Sequence, residues 1–267
     1  ALQGNVELYS GTLDASKVVT RLCGAAVRVE PGTSLTMDGG TIICGHAKAN
    51  MRADRSGVQG GFGGAVQVTG GAVFTMYDGV IRDGKATHMV DGSGWNVGGF
   101  GGNVHVQATG KFIMEGGQIL GGTGSINGGN IYLESGSVDN EGALMEFKGG
   151  TISGGVSMAN NEPGGNMYIG WKSTLNMSGG IIEKGISMNT GGNVVLYGIL
   201  NMSGGTIRDG KCMTGESLET AVHSPGVISQ NLFSVNGYID MSGGLIQGGV
   251  DLISSGLDAN GIDWKSV

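Results

Sequence analysis

The sequence predicts an all-β fold, a right-handed parallel β-helix (a solenoid) of about eight to nine coils with inserted loops along one edge. Three observations predict it. Glycine is in large excess, a Met-Gly-Gly unit recurs seven times, and apolar residues inside each unit alternate with a period of two.

Glycine makes up 57 of the 267 residues, about three times the roughly 7% of an average protein. Only 3 prolines are present, which excludes collagen. Hydrophobic residues at 39% and charged residues at 14% are too many for a Gly/Ser linker. Helical bundles are disfavoured, because each interior glycine costs a helix about 1 kcal/mol relative to alanine. Many tight turns, and so a repeat, account for the excess.

The strongest unit reads apolar-x-Met-x-Gly-Gly-x-Ile-x-x-Gly, as in Leu35, Met37, Gly39, Gly40, Ile42 and Gly45. Its methionine position runs Met37, Met76, Met114, Phe147, Met177, Met202, Met241, and its isoleucine position runs from Ile42 to Ile246. A second unit, Gly-Asn-apolar-x-apolar, precedes each: Gly102-Asn103-Val104-His105-Val106, then the copies at Asn130, Asn166 and Asn193. Gly4-Asn5-Val6 matches it at the start, Gly64-Ala65-Val66 replaces the asparagine, and Gln230-Asn231-Leu232 loses the glycine.

Leu35 and Met37 point one way and Thr36 the other, the alternation of a strand. Short strands separated by Gly-Gly and Gly-Asn turns are expected, because glycine takes positive φ freely and asparagine tolerates it next best. Stacked coil on coil, equivalent residues sit about 4.8 Å apart and each backbone group pairs with its neighbours. The spacings Val6 to Val27 and Cys23 to Cys44 suggest a coil of 21 residues, and Met177 to Met202 one of 25. Longer steps place the extra residues at 46–62, 85–100 and 211–229, all between a closing glycine and the next Gly-Asn strand. The hexapeptide repeat of left-handed helices is absent, which selects the right-handed form.

The methionine row is read as an adaptable apolar filling of the bore, and the isoleucine row as the facing wall. Charge placed there, for instance by Ile152→Asp, is expected to open the array. Asn103, Asn130, Asn166 and Asn193 are expected to form a stacked amide ladder that also satisfies turn backbone groups. Cys23 and Cys44 are expected in one register as stacked free thiols, because parallel side chains suit a disulfide poorly. Glu183 with Arg208, and Glu7 with Arg28, are expected as exposed ion pairs.

The net charge of −7 argues against nucleic-acid binding, which needs clustered Lys/Arg. No apolar stretch is long enough for a membrane helix. The 3 cysteines include no CxxC, so neither a disulfide scaffold nor a zinc site is indicated. The start at Ala1 reads as a processed or excised chain, one β-helix domain over 1–267 within a larger or assembling protein. No clear caps are read at either end, which suggests truncation or end-to-end assembly.

No catalytic, cofactor or metal site is assigned. Asp38 and Glu115 share a register but stand two coils apart with Tyr77 between, about 10 Å, outside both the roughly 5–5.5 Å and the roughly 6.5–9.5 Å of paired glycosidase carboxylates. Arg82-Asp83-Gly84 and Arg208-Asp209-Gly210 read as turns. His46, His88, His105 and His223 show no ligand spacing and are expected at the surface. The segments around Phe62 and Phe100 read as repeated loop closures. Thr36 and Thr75 begin a threonine row that breaks at Ile113, Glu146 and Asn176. Asn176-Met177-Ser178 and Asn201-Met202-Ser203 are sequons at outward positions.

The outward row of the Gly-Asn strands (Gln67, His105, Tyr132, Tyr168, Val195, Phe233) offers flat rings that can stack on sugars or on another protein. His105, Tyr132 and Tyr168, with Trp95 from an insertion, form the candidate ligand-contact row. Packing against neighbouring coils is the competing explanation.

Repeats such as Leu200-Asn201-Met202-Ser203-Gly204-Gly205-Thr206-Ile207, followed by Gly-Asn-Val strands, resemble adhesin-like proteins of bacteria and archaea over about residues 24–250. The resemblance implies a pectate-lyase-like right-handed β-helix and an extracellular or cell-surface role in attachment or as a stalk. The catalytic Asp or Arg clusters of its pectinolytic relatives have no match here. The expected function is therefore a non-enzymatic structural or adhesive element without cofactor, partnered by itself, by surface glycans or by another protein. The alternative is a carbohydrate-binding or carbohydrate-processing β-helix.

Overall fold

The computed structural model describes residues 5–21, 24–52, 58–90, 96–158, 164–188, 190–214, 222–223 and 230–253. These form a right-handed parallel β-helix of three stacked sheets with 11, 9 and 8 strands, and a separate two-stranded hairpin. The first sheet carries the Met-Gly-Gly units, from Val6–Leu8 to Tyr238–Gln247. The second starts at Val19–Thr20 and includes His46–Lys48 and Lys85–Val90. The third holds the Gly-Asn strands, from Val27–Val29 to Val250–Ile253.

Registers follow the repeat. Met37, Met76, Met114, Phe147, Met177, Met202 and Met241 lie on successive strands of the first sheet. The residues two positions earlier form a second inward row, in which the Phe74 and Phe112 rings stack at 4.7 Å. Ile42 through Ile207 face them, fully buried, and Val104, Ile131, Met167 and Val194 close the bore from the third sheet.

Most of the Gly-Gly pairs differ from the expected turns. Ser34–Ile43, Thr174–Glu183, Ile199–Arg208 and Tyr238–Gln247 each run through the pair as one ten-residue strand, and Val73–Arg82 runs likewise through Asp78-Gly79, with a register shift after the methionine. In these coils the pair is a β-bulge, which bends a strand without ending it, whereas Gly116-Gly117 and Gly149-Gly150 separate two short strands. Gly205 shows why no other residue serves. Its φ is +87°, and a Cβ there would stand 2.6 Å from the backbone oxygen of Gly179 in the preceding coil, as well as against Cε of Met177.

The true corner between first and second sheets comes a few residues later, where Asp83, Lys184 and Asp209 take φ of 64°, 56° and 55°. The Arg-Asp-Gly tripeptides are thus turns, as expected. A second corner places Thr109 at φ 65°, although Gly71, which donates to its carbonyl from the coil before, sits at 75°. A β-branched residue is poorly suited to this conformation. Thr109→Gly is expected to raise stability by about 0.5–1 kcal/mol, net of the added freedom of the unfolded chain. A lowered denaturation midpoint would show instead that the threonine is not strained.

Three sequence expectations are corrected. Val6 and Leu8 stack on Leu35 and Met37 of the first sheet, not on the Gly-Asn strand at Val27. The local Gly-Asn-Val match at the start therefore misled, and the 21-residue coil it implied does not exist. With it falls the pairing of Glu7 and Arg28: Glu7 lies beside Thr36 and accepts from the Tyr9 hydroxyl, while Arg28 pairs with Glu30 at 3.2 Å. Cys44 continues the register of Ile43 with Asp14 and so neighbours Ala15; the expected stack with Cys23 lies outside the described residues. Burial pushes the Cys44 thiol pKa up.

Insertions 46–62 and 85–100 do share an edge. Each carries an antiparallel hairpin, and their closing residues stack through Phe62, Phe100 and Asn127. Of 211–229, Lys211–Thr214 pairs with Val222–His223 and the remainder lies outside the described residues. One insertion was missed in the sequence: the loop at 135–142 lies between Ile131–Leu133 of the third sheet and Leu144–Phe147 of the first.

The Glu183–Arg208 pair forms as expected, at 2.8 Å, with Lys184 also 2.8 Å from Glu183. Glu183 is buried rather than exposed. The Lys184 hydrogen bond, opposed by burial and aided by Arg208, holds its carboxyl below the usual carboxylate range. A lowered folded pKa means that the contribution is complete above the unfolded value of about 4.3 and disappears as pH falls through the folded value. Glu183→Gln is expected to cost on the order of 1 kcal/mol at neutral pH, and the cost should vanish toward about pH 3. A melting-temperature difference that does not change with pH would contradict this.

Candidate functional site

Two outward surfaces bear on function. The first is the predicted aromatic row on the third sheet. His105 lies beside Gln67 and Tyr132, and Tyr132 beside Tyr168, in the expected register. These side chains are covered: Gln67, His105, Val195 and Phe233 are buried, and the tyrosines are half-buried.

The cover comes from the inserted segments. Phe62 packs on His105 with centroids 5.0 Å apart, and Phe100 stacks on Tyr132 at 4.7 Å. Tyr132 stacks on Tyr168 at 5.2 Å, and Tyr168 packs on Tyr197 at 5.5 Å. The ring faces therefore meet one another, leaving their edges outward. Burial pushes the Tyr132 phenol pKa up. His105 is at 1% exposure, contrary to the surface position expected for it, and its Nε2 lies 2.9 Å from Glu134. His46 and His88 are half-buried beside Thr87 and Ser125. Trp95 lies outside the described residues.

The asparagine ladder stands at the turn immediately before each of these strands. Nδ2 of Asn103, Asn130, Asn166 and Asn193 each donates to Oδ1 of the next asparagine at 2.7 Å, ending on Asn231. The second N–H of each amide donates to the carbonyl of Leu120, Ser153, Glu183 or Arg208. Each Oδ1 also accepts a corner N–H, from Gly84, Gly122, Gly155 and Gly185 in turn. All four amides are fully buried and every donor and acceptor is used. The ladder is structural.

The second surface is the outer face of the first sheet. Thr36, Thr75, Ile113, Glu146, Asn176, Asn201 and Asp240 form one row in register. Because Leu175 and Met177 point inward, Asn176 must point out, and the same holds in each coil. Asn201 donates to Asn176 at 2.8 Å, and Asn176 to Glu146 at 3.0 Å. The small residues Ser178, Ser203 and Ser242 flank this row. They leave a cleft of about 250 Å³ lined by Glu146, Asn176, Asn201, Asp240 and these serines.

Toward the other end of this face stand Asp38, Glu115 and the exposed Tyr77. The bulge alters the expected spacing: Asp78 rather than Tyr77 comes opposite Asp38. Glu115 is paired with Lys148 at 2.8 Å. The cleft was missed in the sequence, where Asn176 and Asn201 were visible only as sequons and as a break in a threonine row. The usable signal was the polar residue before each methionine in three consecutive units: Asn176, Asn201 and Asp240.

No protein-family model matches the chain, and neither curated proteins nor solved structures yield a match.

Proposed function

We propose that the chain is a non-enzymatic, extracellular β-helix of the adhesin-like kind, a stiff attachment element at a cell surface or in a filament. The observation that carries this reading is the cleft between Glu146 and Asp240 on a face held rigid by the stacked coils. Rigid elements fix side chains at a ligand more closely than loops do. Amides, hydroxyls and carboxylates at strand spacing both donate and accept, which suits the hydroxyls of a surface glycan. Glu146 and Asp240 are three strand positions apart, about 14 Å, beyond the roughly 6.5–9.5 Å of an inverting carboxylate pair.

A glycan array combined with a reducing-sugar assay tests the proposal. Binding without release of reducing ends or unsaturated product is the expected outcome, and release would overturn the non-enzymatic part. Self-association, end to end or side by side, belongs to the same reading. Electron microscopy should show filaments, and a strictly monomeric species at high concentration would count against assembly.

A carbohydrate-processing enzyme is the second reading. It is favoured by one observation, the placement of Asp78 and Asp38 on adjacent strands, a spacing of about 5 Å that retaining glycosidases use. Turnover that disappears in Asp38→Asn would establish it.

A further inference from the structure

The ligand chemistry of the cleft follows from its charge and its backbone. We propose that it takes an amine-bearing sugar chain, an oligomer of deacetylated amino sugar, laid along the axis of the β-helix. This rests on the reading of the cleft as a glycan site.

The cleft lies on the face of a sheet, where the strands bearing Glu146, Asn176 and Asn201 are paired on both sides and the strand bearing Asp240 is paired with its Asn201 neighbour. A ligand laid on this face meets no free N–H or C=O row, because those groups point along the sheet, and recognition there must pass through side chains. Those side chains form an axial line, Glu146–Asn176–Asn201–Asp240, repeating at about 4.8 Å. The two amides are already joined to each other and to Glu146. Their remaining lone pairs and N–H groups, with Ser178, Ser203 and Ser242, can serve ring hydroxyls.

A carboxylate stands at each end. Among the described residues neither Glu146 nor Asp240 has a cation within ion-pair distance, whereas Glu115 and Glu183 both do. Two carboxylates without a paired cation attract an ammonium and repel a uronate. Asp38 and Asp78 extend the negative sign along the same face. The favoured occupant is thus a polyhydroxylated chain with protonated amines.

The test is calorimetric titration at about pH 6, where amines are charged, with a glucosamine oligomer, its N-acetylated counterpart and a galacturonate oligomer. Glu146→Gln, Asp240→Asn and the double variant keep side-chain size, and circular dichroism confirms that each is folded. The glucosamine oligomer is expected to bind best and to weaken with added salt. Each single variant should lose about fivefold in affinity and the double variant more. Equal binding of free and acetylated oligomers, or an unaffected double variant, would overturn the amine proposal while leaving the glycan reading in place. Preference for galacturonate would overturn it as well. If no oligomer binds, both the proposal and the glycan reading fail.

Discussion

Asn166→Ala is expected to be among the most damaging single substitutions in the chain. Four hydrogen bonds are lost at once and two N–H groups are left without an acceptor, while the Glu183 carbonyl and the Asn193 Oδ1 still accept from Gly154 and Gly185. The Gly155 N–H and the Asn130 Nδ2 lose an acceptor, and the Glu183 carbonyl and the Asn193 Oδ1 lose a donor. Asn130, Asn166 and Asn193 are at 0% exposure, so water cannot easily replace what is lost. With about 1–3 kcal/mol for each of the two buried N–H groups left unsatisfied, the total is on the order of 3 kcal/mol. Asn166→Asp should fare no better, since a carboxylate has no N–H to give and adds a buried charge. The outward pair supplies the control: Asn201→Ala removes a half-exposed contact and should cost less than about 1 kcal/mol. Because repeat arrays need not unfold in one step, hydrogen exchange at Gly155 and Gly185 is the sharper measurement. Unchanged protection there would refute the role given to the ladder.

Ile152→Asp is expected to open the middle of the β-helix. Ile152 is fully buried between Ile119 and Ile182 on the neighbouring strands. Its surroundings in the bore are apolar, with Phe147 and Met145 also fully buried, so an aspartate there finds neither cation nor hydrogen-bond partner. Loss of the buried side chain and the burial of a carboxyl together should exceed about 4 kcal/mol. Ile152→Val should cost only about 0.5–1.5 kcal/mol. Thr151→Asp, one residue away but pointing outward, should stay within about 0.5 kcal/mol. Denaturant titration of the three variants separates burial from sequence position. A tolerated Ile152→Asp would mean that the bore admits water.

The inward rows were legible because their cause is local. Alternation decides which side of a strand a residue takes, and the Met-Gly-Gly unit marks where each strand lies. The ladder was equally legible, since the Gly-Asn pair repeats at one place in each coil. What escaped depends on contacts far apart in the chain. Val6 resembles Val104 in its neighbours, yet its partner is set by which strand it reaches, and that is Leu35. The row through His105 and Tyr132 has the outward pattern, but Phe62 and Phe100 fold back over it. Outward of a sheet is not the same as exposed. The cleft escaped for the opposite reason: its residues are polar and sit where polar residues are expected. Only their shared register makes Asn176, Asn201 and Asp240 one surface.

The registers also carry a consequence for how such a chain changes length. Met177 falls on Met202 and Asn176 on Asn201, while Tyr168 falls on Val195. Any two positions in register are interchangeable junctions. Joining Asn176 directly to Met202 would remove one complete turn and leave both flanking turns facing surfaces of the kind they already meet. The molecule is therefore gradable, shortened or extended by about 4.8 Å per turn without redesign of its cross-section. Duplication or loss of a single stretch of coding sequence would act on it as a change of ruler length, leaving its grip on neighbouring turns intact.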